Sequence, residues 1–147
     1  MSMSSLYAQD YFGWTQAQAD ALRRRSANEL DWDNLLEEIE GLGKAAEREL
    51  RKHFALLLAH LLKWQLQPTR RSRSWVLTIR EQRRQVNFML KDSPSLKPAV
   101  KRLLDEAFES AVDAAADETG LPDDAFPATS PYDFDQAMTE VVEWEQA

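Results

Sequence analysis

The sequence predicts an all-α fold, a single-domain helical bundle of about five helices with antiparallel neighbours. Apolar residues recur every three or four positions through most of the 147 residues, which is the period of an amphipathic helix. No segment shows the strand-like alternation of apolar and polar residues between hairpin turns. Hydrophobic residues make up 44% and charged residues 29% of the chain, as in soluble globular proteins. We expect one domain, residues 1–147, that needs neither disulfides nor metal to fold.

The first helix is predicted to follow an N-terminal arm formed by residues 1–14. Residues 15–18 (TQAQ) match a capping box, in which the side chains of Thr15 and Gln18 satisfy backbone N–H groups at a helix start. We expect this helix to end near Ala27. A second helix start follows at Asp31, because an aspartate there is a favourable N-cap.

One apolar face runs from this second start towards the middle of the chain, with a spacing of three or four residues. Its first members are Trp32, Leu35, Leu36, Ile39 and Leu42. Glycines at positions 41 and 43 weaken or kink a helix, so residues 33–66 form either one long kinked helix or two stacked helices. Pro68 ends the segment in both cases.

Two longer helices are predicted in the second half of the chain. One begins at Ser72 or Ser74, either of which is a good N-cap. After a tight connector at residues 92–95, the other runs from about Leu96 to a stop at Gly120. Because the connection is short, we expect the two helices to be antiparallel neighbours.

A proline-rich loop and a short helix are predicted to complete the fold. Residues 121–132 contain three of the six prolines of the chain and form a non-helical crossing. Asp133 and Gln136 have the spacing of a capping box and begin a last helix that ends near Trp144.

The composition excludes several classes of function. With no cysteine, the chain has no disulfide, thiolate nucleophile, zinc–cysteine site or iron–sulfur cluster, and it suits a reducing cytoplasm. The first five residues lack the basic and apolar stretches of a signal peptide. The longest apolar run is about half of what a membrane span needs. No glycine-rich turn resembles a phosphate-binding loop. We therefore expect a cytoplasmic protein without a membrane segment.

The net charge of −7 conceals a strong segregation of charge along the chain. Residues 1–43 contain 3 basic and 8 acidic side chains, residues 44–102 contain 15 basic and 4 acidic ones, and residues 103–147 contain 13 acidic and no basic ones. Such segregation indicates either a basic surface that meets a partner or basic and acidic helices that face each other within the fold.

The second interpretation predicts specific ion pairs between the two longer helices. The earlier one contains Arg80, Arg83, Arg84 and Lys91. The later one contains an acidic row of Glu106, Glu109, Asp113 and Asp117. If these rows oppose each other, their ion pairs contribute roughly 0–1 kcal/mol each and leave little positive potential for a partner.

The densest polar cluster is a loop and helix start with anion-binding chemistry. A capped helix N-terminus offers free backbone N–H groups, and arginines offer planar donors that match carboxylate or phosphate oxygens. The candidate binding residues are Arg70, Arg71, Arg73, Trp75, Arg80 and Arg84. Trp64 and Trp75 suit stacking on bases. Under the alternative interpretation both tryptophans belong to the core and the arginines pair with Glu37, Glu38, Glu40 or Glu81.

No catalytic residue and no cofactor is predicted from the sequence. His53 and His60 are seven residues apart, roughly 10 Å along a helix, so one ion does not suit both. Glu49 lies one turn before His53, and the carboxylates at positions 37–40 are a further source of ligands, so a metal site inside a bundle is the weaker candidate. Otherwise both histidines hydrogen-bond to neighbours near the core.

Several short motifs occur together along the chain and resemble one bacterial family, called domain of unknown function 29. They are residues 6–14 (LYAQDYFGW), 34–40 (NLLEEIE), 60–65 (HLLKWQ), 70–75 (RRSRSW), 78–81 (TIRE), 92–96 (DSPSL), 118–122 (ETGLP), 126–127 (FP) and 130–132 (SPY). The resemblance covers nearly the whole chain and implies a small, all-helical, cytoplasmic bacterial protein. It implies no activity, so no site residue is carried over from it.

Two hypotheses about function remain open. The first is a non-enzymatic interaction or regulatory module whose arginines contact an acidic protein or a nucleic acid. The second is a metal-binding helical-bundle enzyme that uses His53, His60 and glutamates. An apolar surface left uncovered by the bundle would indicate a homo-oligomer.

Overall fold

The computed structural model describes residues 2–144, and the chain is 81% helical with no strand in that range. The all-α prediction is confirmed. The six α-helices are α1 (Met3–Gln9), α2 (Tyr11–Arg23), α3 (Trp32–Leu66), α4 (Arg73–Asp92), α5 (Val100–Thr119) and α6 (Phe134–Thr139). The chain divides into two compact units, Met1–Ala45 and Ala46–Ala147, and the boundary lies within α3. None of these helices is long and apolar enough to cross a membrane.

The N-terminal segment is helical, and the predicted arm and first helix start are wrong. The Asp10 carboxylate accepts a 2.9 Å hydrogen bond from the backbone N–H of Gly13, which caps α2 one turn before the predicted start. Thr15 lies inside α2, and its hydroxyl donates to the carbonyl oxygen of Phe12 at 2.7 Å. The helix ends at Arg23 rather than near Ala27, and Arg25 follows with a φ of 56°.

The first unit is held together by a small polar and aromatic core. The indole N–H of buried Trp14 donates to the Asp31 carboxylate at 3.0 Å. Buried Gln18 donates to the carbonyl oxygen of Glu29 and accepts from the backbone N–H of Asp31. These bonds fasten α2 to the start of α3, which begins where the sequence predicts.

A pair of tyrosines shares one carboxylate in this unit. The hydroxyls of Tyr7 and Tyr11 donate to the two carboxylate oxygens of Glu38 at 2.5 and 2.7 Å. The hydrogen bond to Glu38 raises the pKa of Tyr7 to about 12, and the same two bonds lower the pKa of Glu38. Both carboxylate oxygens of Glu38 therefore accept hydrogen bonds from within the first unit.

Helix α3 is continuous from Trp32 to Leu66, which decides between the two predicted arrangements. The glycines at positions 41 and 43 lie within it, and Pro68 follows its end as predicted. A three-residue 3-10 turn, Pro68–Arg70, connects it to α4, whose N-cap is Ser72.

The second unit is a bundle in which α4 and α5 run in opposite directions. Three contacts between α3 and α5 share an offset of 55 residues: Glu47 with Arg102, Arg51 with Glu106, and Lys63 with Glu118. A constant offset means that these two helices are parallel. Helix α4 runs antiparallel to α3, because His53 meets Gln82 while Lys63 meets Trp75. The predicted antiparallel relation of α4 and α5 follows.

Aliphatic and aromatic side chains from α3, α4 and α5 fill the core of this unit. They include Leu50, Phe54, Leu57, Leu58, Leu61, Leu62, Ile79, Val86, Leu103, Leu104, Ala107 and Ala111. Trp64 is buried with them, which confirms the core interpretation of this tryptophan. Trp75 is partly buried and packs against the core. Burial of this apolar surface is the main stabilising contribution to the unit.

Helix α5 starts later than predicted because a 3-10 helix, Pro94–Ala99, precedes it. It ends at Thr119, and Gly120 adopts the left-handed conformation of a helix C-cap with a φ of 73°, as predicted.

Helix α6 begins with the predicted capping box of Asp133 and Gln136. It ends at Thr139, five residues before Trp144, because Glu140 leaves the helical conformation.

Candidate functional site

The arginine cluster before α4 separates into inward and outward side chains. The Nε atom of Arg71 donates to the carbonyl oxygen of Trp64 at 2.7 Å, and its guanidinium lies 4.6 Å from the centre of the Trp64 ring. Arg71 therefore has a structural role, and its place among the predicted binding residues is not supported. Arg70 is exposed and forms no ion pair within residues 2–144.

The Trp75 ring also makes contacts within the fold. Its centre lies 5.0 Å from the Nζ atom of Lys63, and the ring packs against the core. Lys63 is buried, with 4% of its surface exposed, and pairs with Glu118. The ring therefore lies over the buried ammonium group of Lys63 and is not a free stacking surface.

One face of α4 is exposed and cationic along the whole helix. We call it the basic face, and its residues are Arg73, Leu77, Arg80, Arg84, Phe88 and Lys91. These positions are separated by three, four or seven residues, so they align along one side of the helix. Arg84 is paired with Glu81, with Nε and Oε2 3.1 Å apart. Arg73, Arg80 and Lys91 form no ion pair in the described chain.

The basic face also contains apolar surface. Leu77 is 48% exposed and Phe88 is 67% exposed, although both are large hydrophobic residues. Leu77 lies between Arg73 and Arg80 in the chain. The face therefore combines positive charge with apolar side chains.

An open cleft of about 340 Å³ lies against the N-terminal half of this face. It is lined by Arg73, Val76, Leu77, Arg80 and Trp144. Trp144 is partly exposed and comes from the segment after α6. Sequence reasoning missed this tryptophan, because only tertiary structure brings residue 144 beside α4.

The acidic row of α5 does not neutralise α4. Glu106 pairs instead with Arg51 at 2.9 Å and with Arg102 at 3.3 Å, and these hydrogen bonds lower its pKa. Arg83 donates to the carbonyl oxygens of Ala137 and Glu140 at 3.0 and 2.8 Å, where it satisfies the end of α6. The predicted opposition of ion-paired rows on α4 and α5 is wrong for the residues described.

The two histidines have local roles. The Nδ1 atom of His53 lies 2.6 Å from the Gln82 side-chain oxygen, and its Nε2 atom lies 3.8 Å from Glu49. The Nδ1 atom of His60 lies 2.9 Å from the carbonyl oxygen of Leu56, and burial lowers the pKa of His60. Within residues 2–144 no group of three or more histidine or carboxylate side chains is arranged to hold a metal ion. The metal-binding alternative therefore has no ligand set there.

Comparison with known proteins places the chain in a family. No curated protein and no solved structure matches it. The family model described as Domain of unknown function DUF29 matches residues 6–142, which is most of the chain. The chain therefore belongs to the DUF29 family, as its short motifs predicted.

Proposed function

We propose that the chain is a non-enzymatic interaction module, and that the basic face of α4 binds an acidic segment of another protein chain. The observation that carries this proposal is the exposure of Arg73 and Arg80 beside the cleft, without an ion pair to any described carboxylate. The lack of cysteine suits such a role in a reducing cytoplasm.

The spacing of the two arginines suits carboxylates on a helix or extended segment. Arg73 and Arg80 are seven residues apart, which is about 10.5 Å of helix rise. Each guanidinium binds a carboxylate through two parallel hydrogen bonds. Leu77 and Trp144 line the cleft with them and supply apolar contact. Arginine beside an aromatic residue is the composition that dominates binding energy at protein interfaces.

A protein partner is favoured over a nucleic acid by the apolar side chains and by the overall charge. Leu77 and Phe88 have no counterpart on a phosphate backbone. The chain has a net charge of −7, which repels a polyanion except at the basic face itself.

Site-specific photo-crosslinking tests this proposal. A photoreactive phenylalanine derivative replaces Leu77 in the producing cell, and the adducts are identified by mass spectrometry. We expect an adduct with a specific acidic protein that disappears in the Arg73→Glu/Arg80→Glu variant. The purified adduct partner then binds the wild-type chain in calorimetry, and the variant binds it at least tenfold more weakly.

A matched control tests whether binding requires the basic face itself rather than any pair of exposed cations. Arg48 and Lys52 are exposed cations one turn apart on α3 with no ion pair among residues 2–144. The Arg48→Glu/Lys52→Glu variant should keep the adduct. An adduct that survives the α4 reversal overturns the proposal. So does an adduct that nuclease removes. In that case the four cations of the basic face would neutralise about four phosphates and give a slope of log K against log salt of about −3.6.

A further inference from the structure

The N-terminal part of α3 exposes a second surface of opposite charge. We call it the acidic–apolar face, and its residues are Trp32, Asp33, Leu36, Glu37, Ile39, Glu40 and Leu42. The four large apolar side chains, Trp32, Leu36, Ile39 and Leu42, are 64, 58, 64 and 67% exposed. They lie within three turns of one helix.

These apolar side chains form a row rather than scattered exposures. Trp32, Leu36 and Ile39 have the i, i+4, i+7 spacing that places residues on one side of a helix. The other helices of their unit contact α3 elsewhere, through Asp31 and Glu38. A contiguous apolar row of this kind marks an interaction site.

The charges beside the row define what covers it. Residues 26–43 contain six acidic side chains and no basic one. Glu38 is held by the two tyrosines, whereas Asp33, Glu37 and Glu40 form no ion pair within the described chain. The occupant therefore needs cations beside apolar side chains.

We propose that the occupant is the basic face of α4 in a second copy of the chain. This inference rests on the proposed function, because it names the acidic partner of that face. The basic face has the required composition, with Leu77 and Phe88 beside its cations. Asp33 and Glu40 are seven residues apart, as Arg73 and Arg80 are, so two ion pairs form with the same rise of about 10.5 Å.

The contact joins two different surfaces and is short. It extends along about 15 Å of helix, which is the rise over the ten steps from Trp32 to Leu42. A contact of this length is at the small end of protein interfaces, so we expect a dissociation constant in the micromolar range. Because each copy offers both surfaces, the association is heterologous.

Sedimentation velocity over a concentration series from about 1 to 300 µM, which brackets micromolar affinity, tests the pairing. We expect the wild-type chain to associate reversibly. The Asp33→Arg/Glu40→Arg and Arg73→Glu/Arg80→Glu variants should each stay monomeric. An equimolar mixture of the two variants should associate again, because each supplies a surface that complements the other.

A control reverses an acidic pair elsewhere. Glu109 and Asp113 are exposed on α5 without an ion pair among residues 2–144, and Glu109→Arg/Asp113→Arg should associate as the wild type does. Circular dichroism checks that every variant is folded.

Three outcomes overturn this inference and separate it from the proposed function. Loss of association in the α4 variant alone means that another acidic surface binds the basic face, so the proposed function stands. Loss in the α3 variant alone means that the acidic–apolar face pairs with itself. A monomer at every concentration excludes the second copy, and crosslinking at position 77 then tests the proposed function independently.

Discussion

The guanidinium of Arg71 holds the end of α3 through the backbone of Trp64. The carbonyl oxygen of Trp64 lies in the last turn of α3, where carbonyls lack a partner within the helix. Arg71 donates to it at 2.7 Å and covers the ring of the same residue. One cation thus satisfies an unpaired carbonyl, complements the negative end of the helix dipole and shields a core tryptophan.

Replacing Arg71 should therefore destabilise the protein. We expect Arg71→Ala to lower the free energy of unfolding by about 2 kcal/mol, because it removes a charged hydrogen bond and a cation–π contact. Arg70→Ala, one residue earlier and exposed, should change it by less than about 0.5 kcal/mol. Urea unfolding followed by far-UV circular dichroism measures both. Equal stability of the two variants would contradict the assigned role of Arg71.

The buried Lys63 leads to a prediction about which half of an ion pair is dispensable. Glu118→Ala leaves a buried ammonium without its carboxylate, so we expect a loss of about 1–3 kcal/mol, moderated by the exposure of Glu118. Lys63→Met removes the charge and keeps an unbranched apolar chain in the same space. Its cost should be smaller than that of Glu118→Ala, and it is measured by the same urea unfolding. A larger cost for Lys63→Met would show that the ion pair itself is strongly stabilising.

The three tyrosines should ionise late in the folded protein. Hydrogen bonds to Glu38 raise the pKa of Tyr7 to about 12 and also raise that of Tyr11, and burial raises the pKa of Tyr132 to about 12. At pH 10 an ordinary tyrosine is about half ionised. Tyrosinate absorbance at that pH should therefore be low in the folded protein and substantial in the unfolded chain.

The same pKa shifts determine how the stability of the protein changes at high pH. A pKa raised by folding means that the unfolded chain loses its tyrosine protons first. The contribution of these groups is complete below pH 10 and declines as the pH rises towards 12. Titration of Tyr132→Phe should show one fewer late-ionising group. Coincident titration curves for the folded and unfolded protein would contradict these pKa shifts.

The helix boundaries that the sequence predicts well are those set by local chemistry. Pro68 removes a backbone donor, Gly120 accepts a left-handed conformation, and Asp133 with Gln136 forms a capping box, and each acts within a few residues. The start of α2 fails for a local reason as well. Asp10 and Thr15 both have capping chemistry, and the stronger cap at Asp10 includes the following aromatic residues in the helix.

The candidate site was harder to predict from the sequence than the helix boundaries, because contacts between residues far apart in the chain decide where its side chains lie. Arg71 and Arg73 are two positions apart, yet only the first turns onto Trp64. Trp144 reaches the cleft from the end of the chain. The face of α3 that carries Trp32 has the period of a core helix, and periodicity does not say whether another element covers it. Only the structure shows that this face is exposed.

Replacing glycine by alanine should change the free energy of unfolding in opposite directions at Gly41 and at Gly120. A β-carbon added to Gly41, inside α3, meets no atom within 4 Å, and alanine is a better helix former than glycine by about 0.5–1 kcal/mol. We therefore expect Gly41→Ala to raise the free energy of unfolding by that amount. Gly120 also has open space around it, but its φ of 73° costs a side chain about 1–2 kcal/mol. Gly120→Ala should therefore be destabilising. Urea unfolding of both variants gives the two signs, and stabilisation by Gly120→Ala would show that the C-cap of α5 is not left-handed in solution.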